Sequence, residues 1–168
     1  MARHDVRIRN ATELDRAEIV GVYQLSQLAT CLPDAAACPP HLLGDRLYDR
    51  LAVRRYVAES IGRIIGHGLV EFPNTQHIPT WLHGTRHKPE HLLELGGAFV
   101  HPAFSGEGVW TSLLERRLEY VNEISKVAVA ATWSQNDHVM RVFESHGAVH
   151  VGDTAAAGGE ISLYRFKN

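Results

Sequence analysis

The sequence predicts an α/β (α+β) chain built on a mixed β-sheet, and three observations carry that prediction. Apolar runs of strand length and period alternate with runs whose apolar residues recur at helical spacing. Their order is roughly β-α-α-β-β-β-α-β-α-β-β, which layers helices on a sheet. Midway, an apolar strand passes through a glycine-bearing turn directly into an amphipathic helix. The length, 168 residues, is that of one domain, so residues 1–168 are expected to form a single domain. Such a chain buries enough surface to fold without a disulfide or metal staple.

Each element follows from local chemistry. Val6 and Ile8 alternate with Arg7 and Arg9, the period of a half-buried strand. Thr12 is the expected N-cap of a helix whose apolar stripe is Leu14, Ala17, Val20 or Gly21, Leu25 and Leu28. Cys31 to Pro40, with three prolines, reads as a loop, and His41 to Leu51 as a short helix. Val53–Glu59 and Arg63–Phe72 read as strands joined by a Ser-Ile-Gly hairpin turn. Gly66 and Gly68 in the second strand permit close approach of another backbone. Pro73 to Pro89 reads as a polar loop, and Leu92–Val100 as an apolar strand stopped by Pro102. A helix over Val109–Ile124 places Trp110, Leu113, Leu114, Leu118 and Val121 on one face. Lys126–Trp133 is a strand, and Asp137–His146 a helix closed by Gly147. Ala148–Val151 and Ile161–Phe166 are strands joined by a turn around Gly158 and Gly159.

Composition bounds the function. Hydrophobic residues make up 45% and charged ones 21%, the balance of a soluble globule. A net charge of −2 does not suit a protein that neutralises many phosphates, so no nucleic-acid partner is expected. No apolar run reaches the length of a membrane span, and the arginine-bearing start is no signal peptide. Cys31 and Cys38 read as reduced thiols, with a disulfide or half a metal site as the alternatives. The expected location is cytoplasmic.

The segment Leu92 to Glu115 carries the chemistry. A glycine turn feeding a helix gathers unpaired N–H groups at a positive dipole end, which favours an anion. Gly106 and Gly108 keep side chains out of that concavity, whereas Glu107 suits it only if turned to solvent. The turn is not a Walker loop, since no Gly-Lys-Ser/Thr follows, and not the three-glycine dinucleotide fingerprint. Phe99-Val100-His101-Pro102, Gly108 and Leu113-Leu114 fall in the register of an aromatic-Val-x-Pro strand end and glycine turn. In this the segment resembles the acyl-CoA-binding motif of the GNAT (GCN5-related N-acetyltransferase) superfamily. The likeness extends to Val6-Arg-Ile-Arg-Asn-Ala-Thr, to the hairpin from Tyr56 to Gly68, and to Asn136 through Phe143 to Gly147. It implies a GNAT-like, mostly antiparallel mixed sheet of about six or seven strands with helices on both faces.

The resemblance also implies roles. Backbone N–H groups of Gly106, Glu107, Gly108, Val109, Trp110 and Thr111 would cradle the pyrophosphate of acetyl-CoA. The backbone of Ala98, Phe99 and Val100 would pair with the pantetheine arm, and the Val100 N–H would stabilise the oxyanion. Asn136 would bond the pantetheine or thiol end. The cofactor would lie in a V-shaped opening between the strands ending at Val100 and near Trp133. The implied reaction is direct acetyl transfer to a primary amine, on a small molecule or a peptide, without an acyl-enzyme; a homodimer is compatible with the resemblance. Four positions depart from the pattern: Ser105 replaces Arg/Gln, Trp110 a small residue, Phe143 the tyrosine that protonates the thiolate, and Ala148 a phenylalanine.

An alkylammonium of pKa ~10.4 is neutral in only about one molecule in 2,500 at pH 7, so a base is useful. Glu94 matches the family's strand carboxylate and its apolar neighbours favour a raised pKa; Glu71, His67 and His101 are the alternatives. His67, between two glycines on an apolar strand, reads more readily as packed core. His83, His87 and His91 recur every four residues, but Gly84 and Pro89 interrupt a helix, and the segment reads as a lid or solvated insertion rather than a metal site. Two other functions compete. A non-catalytic acyl-CoA-binding module accommodates Phe143, and a nucleotide-phosphate binder would use the same turn.

Overall fold

The computed structural model describes residues 5–30, 52–156 and 159–167. The cysteines, the loop over 31–40, the helix expected over 41–51 and the Gly158 half of the last turn lie outside the described residues. The strands are β1 (Val6–Asn10), β2 (Ala52–Ser60), β3 (Arg63–Glu71), β4 (Leu92–Val100), β5 (Val127–Trp133), β6 (Ala148–Ala156) and β7 (Gly159–Phe166). They form a seven-stranded sheet in the order β1-β2-β3-β4-β5-β7-β6. β4 and β5 pair parallel, while β1–β2, β5–β7 and β6–β7 pair antiparallel, so the sheet is mixed. The helices are α1 (Arg16–Thr30), α2 (Ile78–Leu82), α3 (Val109–Glu123) and α4 (Asp137–Ser145).

The chain divides into two compact units, Met1–Leu69 with Gly97–Arg117, and Val70–Gly96 with Leu118–Asn168. In the first, Ile19, Val22, Val57, Ile64 and Phe99 form a core cluster. The α1 stripe is therefore Ile19, Val22 and Ser26, not the expected one: Leu14 is 94% exposed and Ala17 and Leu25 are exposed too. The shift comes from the helix start, where a 3-10 turn over Glu13–Asp15 precedes α1 and rotates the stripe. Ile61 and Gly62, both at positive φ (51° and 72°), make the hairpin turn between β2 and β3, as the twist of paired strands favours.

A half-buried ion pair ties β1 to that 3-10 turn. Arg9 Nη1 and Nη2 donate to the two oxygens of Asp15 at 2.8 and 2.9 Å, and the Thr12 N–H donates at 2.7 Å. Arg9 Nε also donates to Glu59 of β2 at 2.6 Å. The Arg9 guanidinium holds the Asp15 carboxyl well below the usual carboxylate range. A depressed folded pKa stabilises the protein above the unfolded value of ~3.9, and that stability is lost as pH falls below it. Asp15→Asn should therefore flatten the acid-unfolding curve below about pH 4. Superimposable wild-type and variant curves there would remove the pair from the acid response.

In the second unit, Trp81, Leu92, Val127, Val129 and Leu163 form the core cluster. Trp81, on α2, is fully buried, which corrects the reading of Pro73–Pro89 as a polar loop throughout. A Cβ on Gly152 of β6 would meet Thr80 of α2 at 2.8 Å, so the glycine lets α2 dock. β6 runs to Ala156, past its expected end at Val151, with a register shift between His150 and Gly152.

Candidate active site

β3 and α3 set the geometry of the first unit's candidate site. A Cβ on Gly66 would lie 3.1 Å from Leu113 Cδ1 and 3.3 Å from both Val109 Cγ1 and the Phe99 carbonyl oxygen. A Cβ on Gly68 would lie 3.0 Å from Nε of Arg117, whose side chain is buried and donates from Nε to the Leu113 carbonyl at 2.9 Å. The two glycines thus admit side chains of α3 against β3; the close backbone approach expected of them occurs only at Gly66, from the Phe99 carbonyl. Arg117 was missed, because an arginine on the buried stripe breaks the polar-out rule. Burial pulls its pKa down to about 10, still charged at neutral pH.

The end of β4 has a definite polarity. The His101 N–H donates to the Ile65 carbonyl of β3 at 2.7 Å, and the Gly97 carbonyl meets Nδ1 of His67, also on β3, at 3.2 Å. Backbone groups of successive strand residues alternate between the two edges. Counted back from His101, alternation puts Phe99, whose carbonyl lies close to Gly66 of β3, on the β3 side and assigns the N–H groups of Ala98 and Val100 to the opposite edge. The ladder between β4 and β5 covers Leu92, Leu93 and Glu94. Phe99 is buried against His67 (ring centroids 5.0 Å apart) and Tyr23 (5.1 Å), while Ala98 and Val100 are half-buried.

Beyond β4, the His101 Nδ1 accepts from the Ala103 N–H at 3.1 Å and caps a 3-10 turn over Pro102–Phe104. That contact occupies the nitrogen that would make His101 a base. Gly106 and Gly108 both adopt φ of 80°, and a Cβ on either would point into open space. The Glu107 N–H is directed to the Phe104 carbonyl at 3.4 Å, so it serves the turn rather than the concavity. The first i→i−4 bond of α3 is donated by Ser112 to the Gly108 carbonyl at 3.0 Å. The N–H groups of Val109, Trp110 and Thr111 precede it, the positions a helix leaves to a cap or an anion. Val109 is buried and Trp110 half-buried.

The remaining expected residues lie in the second unit. Glu94 is half-buried and accepts the Asn74 N–H at 2.9 Å. Asn136 is the N-cap of α4: its Oδ1 accepts from the Val139 N–H at 3.4 Å, which leaves its amide nitrogen as donor. Phe143 is buried against Tyr164 (5.5 Å) and Phe166 (5.6 Å). Glu71 ends β3 and is half-buried. The histidines do not share a helix face. His77 precedes α2 with its ring on Trp81, His83 follows α2, and His91 ends a 3-10 turn with Nδ1 accepting from the Lys88 N–H. Among the described residues no group of three or more His, Cys, Asp or Glu could hold a metal.

A strand end feeding a twin-glycine turn and an anion-ready helix is matched by a family model. Residues 17–148 match the acetyltransferase (GNAT) family. The chain belongs to that family. Acetyl-CoA is the acyl donor of GNAT enzymes, and the chain is a GNAT-type N-acetyltransferase domain. Solved structures share the fold. The Salmonella typhimurium protein yncA, solved with its cofactor acetyl-CoA, superposes with a TM-score of 0.74 at 21% identity over 97% of this chain and 94% of that one. A GCN5-related N-acetyltransferase from Kribbella flavida gives 0.71 at 15% identity, covering 95% and 96%. A GNAT family acetyltransferase from Brucella melitensis in complex with acetyl-CoA gives 0.61 at 18%, covering 98% and 90%. No curated protein matches the chain. No helix among the described residues is long and apolar enough to cross a membrane.

Proposed function

We propose that this GNAT domain transfers the acetyl group of acetyl-CoA directly to a primary amine. The observation that carries the reading is the His101 N–H bonded to the Ile65 carbonyl of β3, from which strand alternation assigns the Ala98 and Val100 N–H groups to the other edge. In this reading the pantetheine amides pair along Ala98, Phe99 and Val100. The Val100 N–H donates to the thioester oxygen as negative charge develops on it, the step at which such a donor counts most. The pyrophosphate is held by N–H groups of Gly106, Gly108, Val109, Trp110 and Thr111, and Glu107 contributes turn geometry rather than a donor. Asn136 donates its amide N–H to the pantetheine or thiol end. Glu94, acting through water, takes the proton the ammonium must lose; the Asn74 N–H holds one of its carboxylate oxygens in place. The acceptor is a small-molecule or peptide amine.

Calorimetry with acetyl-CoA, followed by thiol release over an amine panel, tests this. Binding with amine-dependent release supports it, and no binding overturns it. Glu94→Gln should lower kcat by about 10²–10⁴ and move the acidic limb of the pH–rate profile; an unchanged profile removes Glu94 as base. Phe143 favours a second reading, a non-catalytic acyl-CoA-binding module, because a buried phenylalanine cannot protonate a leaving thiolate. Tight binding without release for any amine would establish it.

A further inference from the structure

His67 presents an unusual pairing. Its ring, in the middle of β3, is only 1% exposed. Nδ1 meets the Gly97 carbonyl of β4 at 3.2 Å, and a carbonyl only accepts, so Nδ1 carries the proton. Nε2 is then an unprotonated acceptor, buried and without a hydrogen-bond partner among the described residues. Gly97 itself takes φ of +52° in mid-strand, and a Cβ there would strike Leu69 Cδ2 at 2.9 Å. The carbonyl of that left-handed residue is thus met by a side chain from β3. The same imidazole lies 5.0 Å, centroid to centroid, from the Phe99 ring. One side chain therefore touches the residue before Ala98 and the residue between Ala98 and Val100.

We propose that His67 is a positioning residue for acyl-donor binding. Its Nδ1–H fixes the left-handed step at Gly97 and thereby sets the edge on which Ala98 and Val100 present their N–H groups. The proposal rests on the acetyl-CoA reading above. His67 does not touch substrate and exchanges no proton in the reaction. Burial, with the charges of Arg117 and Arg55 adding to it, lowers its pKa to about 4 and keeps the ring neutral where amines react.

The test compares three variants by circular dichroism and acetyl-CoA calorimetry. Asparagine places an amide N–H where Nδ1–H lies; glutamine places it further out, near Nε2; leucine has none. His67→Asn should keep the wild-type Kd within about threefold, and His67→Gln and His67→Leu should weaken it by about tenfold or more. Equal affinities for asparagine and glutamine overturn the proposal, as does a folded leucine variant that binds like wild type. If the leucine chain does not fold, the asparagine–glutamine pair decides. If none folds, the ring nitrogens of the wild-type imidazole are read by ¹⁵N NMR: a protonated Nδ1 supports the proposal and a protonated Nε2 overturns it. Wild-type protein that binds no acetyl-CoA fails the functional reading as well, an outcome distinct from equal variant affinities in a wild type that binds.

Discussion

Gly97→Ala is expected to lose about 2–5 kcal/mol of stability. A left-handed conformation costs an L residue ~1–2 kcal/mol, and an overpacked methyl adds ~1–3 kcal/mol. Both apply here, since φ is +52° and the added Cβ would meet Leu69 Cδ2 at 2.9 Å. Urea or thermal unfolding measures the loss, and a drop of roughly 5–15 °C in Tm corresponds to it. Gly106→Ala is the matched control: φ is +80° but the space is open, so only the conformational cost of ~1–2 kcal/mol remains. Equal losses for the two variants would show that Leu69 gives way and that β4 is not crowded at this step.

The second large effect is a loss of stability between pH 6.5 and 4. The unfolded chain protonates His67 near 6.5, whereas the folded one does so only near about 4, chiefly because burial disfavours the cation. Across that window the unfolded state binds the extra proton, so stability present above pH 6.5 falls as the pH is lowered. The full swing is about 3 kcal/mol at ~1.4 kcal/mol per pH unit. His67→Asn should flatten the stability curve from pH 6.5 to 4 while leaving the Asp15-dependent loss below pH 4 in place. A variant that keeps the wild-type slope would assign the effect to another histidine.

Strands, the glycine turn and the main helices were legible because each has a local signal. β4 was bounded at Leu92 and Val100 by its apolar run and the proline that follows. The hairpin at Ile61 and Gly62 was likewise audible in three residues. What escaped depends on contacts distant in sequence. α2 is five residues long and too short for a periodicity, and its reason to exist is Trp81 in a core built from β4, β5 and β7. The α1 stripe was misphased because the 3-10 start over Glu13–Asp15 has a different twist from the helix it feeds. The buried Arg117 has no sequence signature apart from Gly68, which makes room for it and lies far from it in the chain. Of the candidate site, the turn and the strand end were readable from spacing. The left-handed step at Gly97 was not, since Gly96-Gly97 inside an apolar run reads only as a weakened strand.

The triplet Gly66-His67-Gly68 faces both the helix and the strand of the first unit's candidate site from one stretch of β3. Its glycines seat Val109, Leu113 and Arg117 of the helix that follows the glycine turn, and its imidazole holds Gly97 of the strand that precedes it. Helix and strand edge thus share one datum, like two parts machined from a single reference surface. Damage to the datum is common to both. On the proposed acetyl-CoA reading, a methyl added at 66, which would press on Val109 and Leu113 of the helix and on the Phe99 carbonyl of the strand, is expected to lower the affinities for the nucleotide half and the thioester half in step.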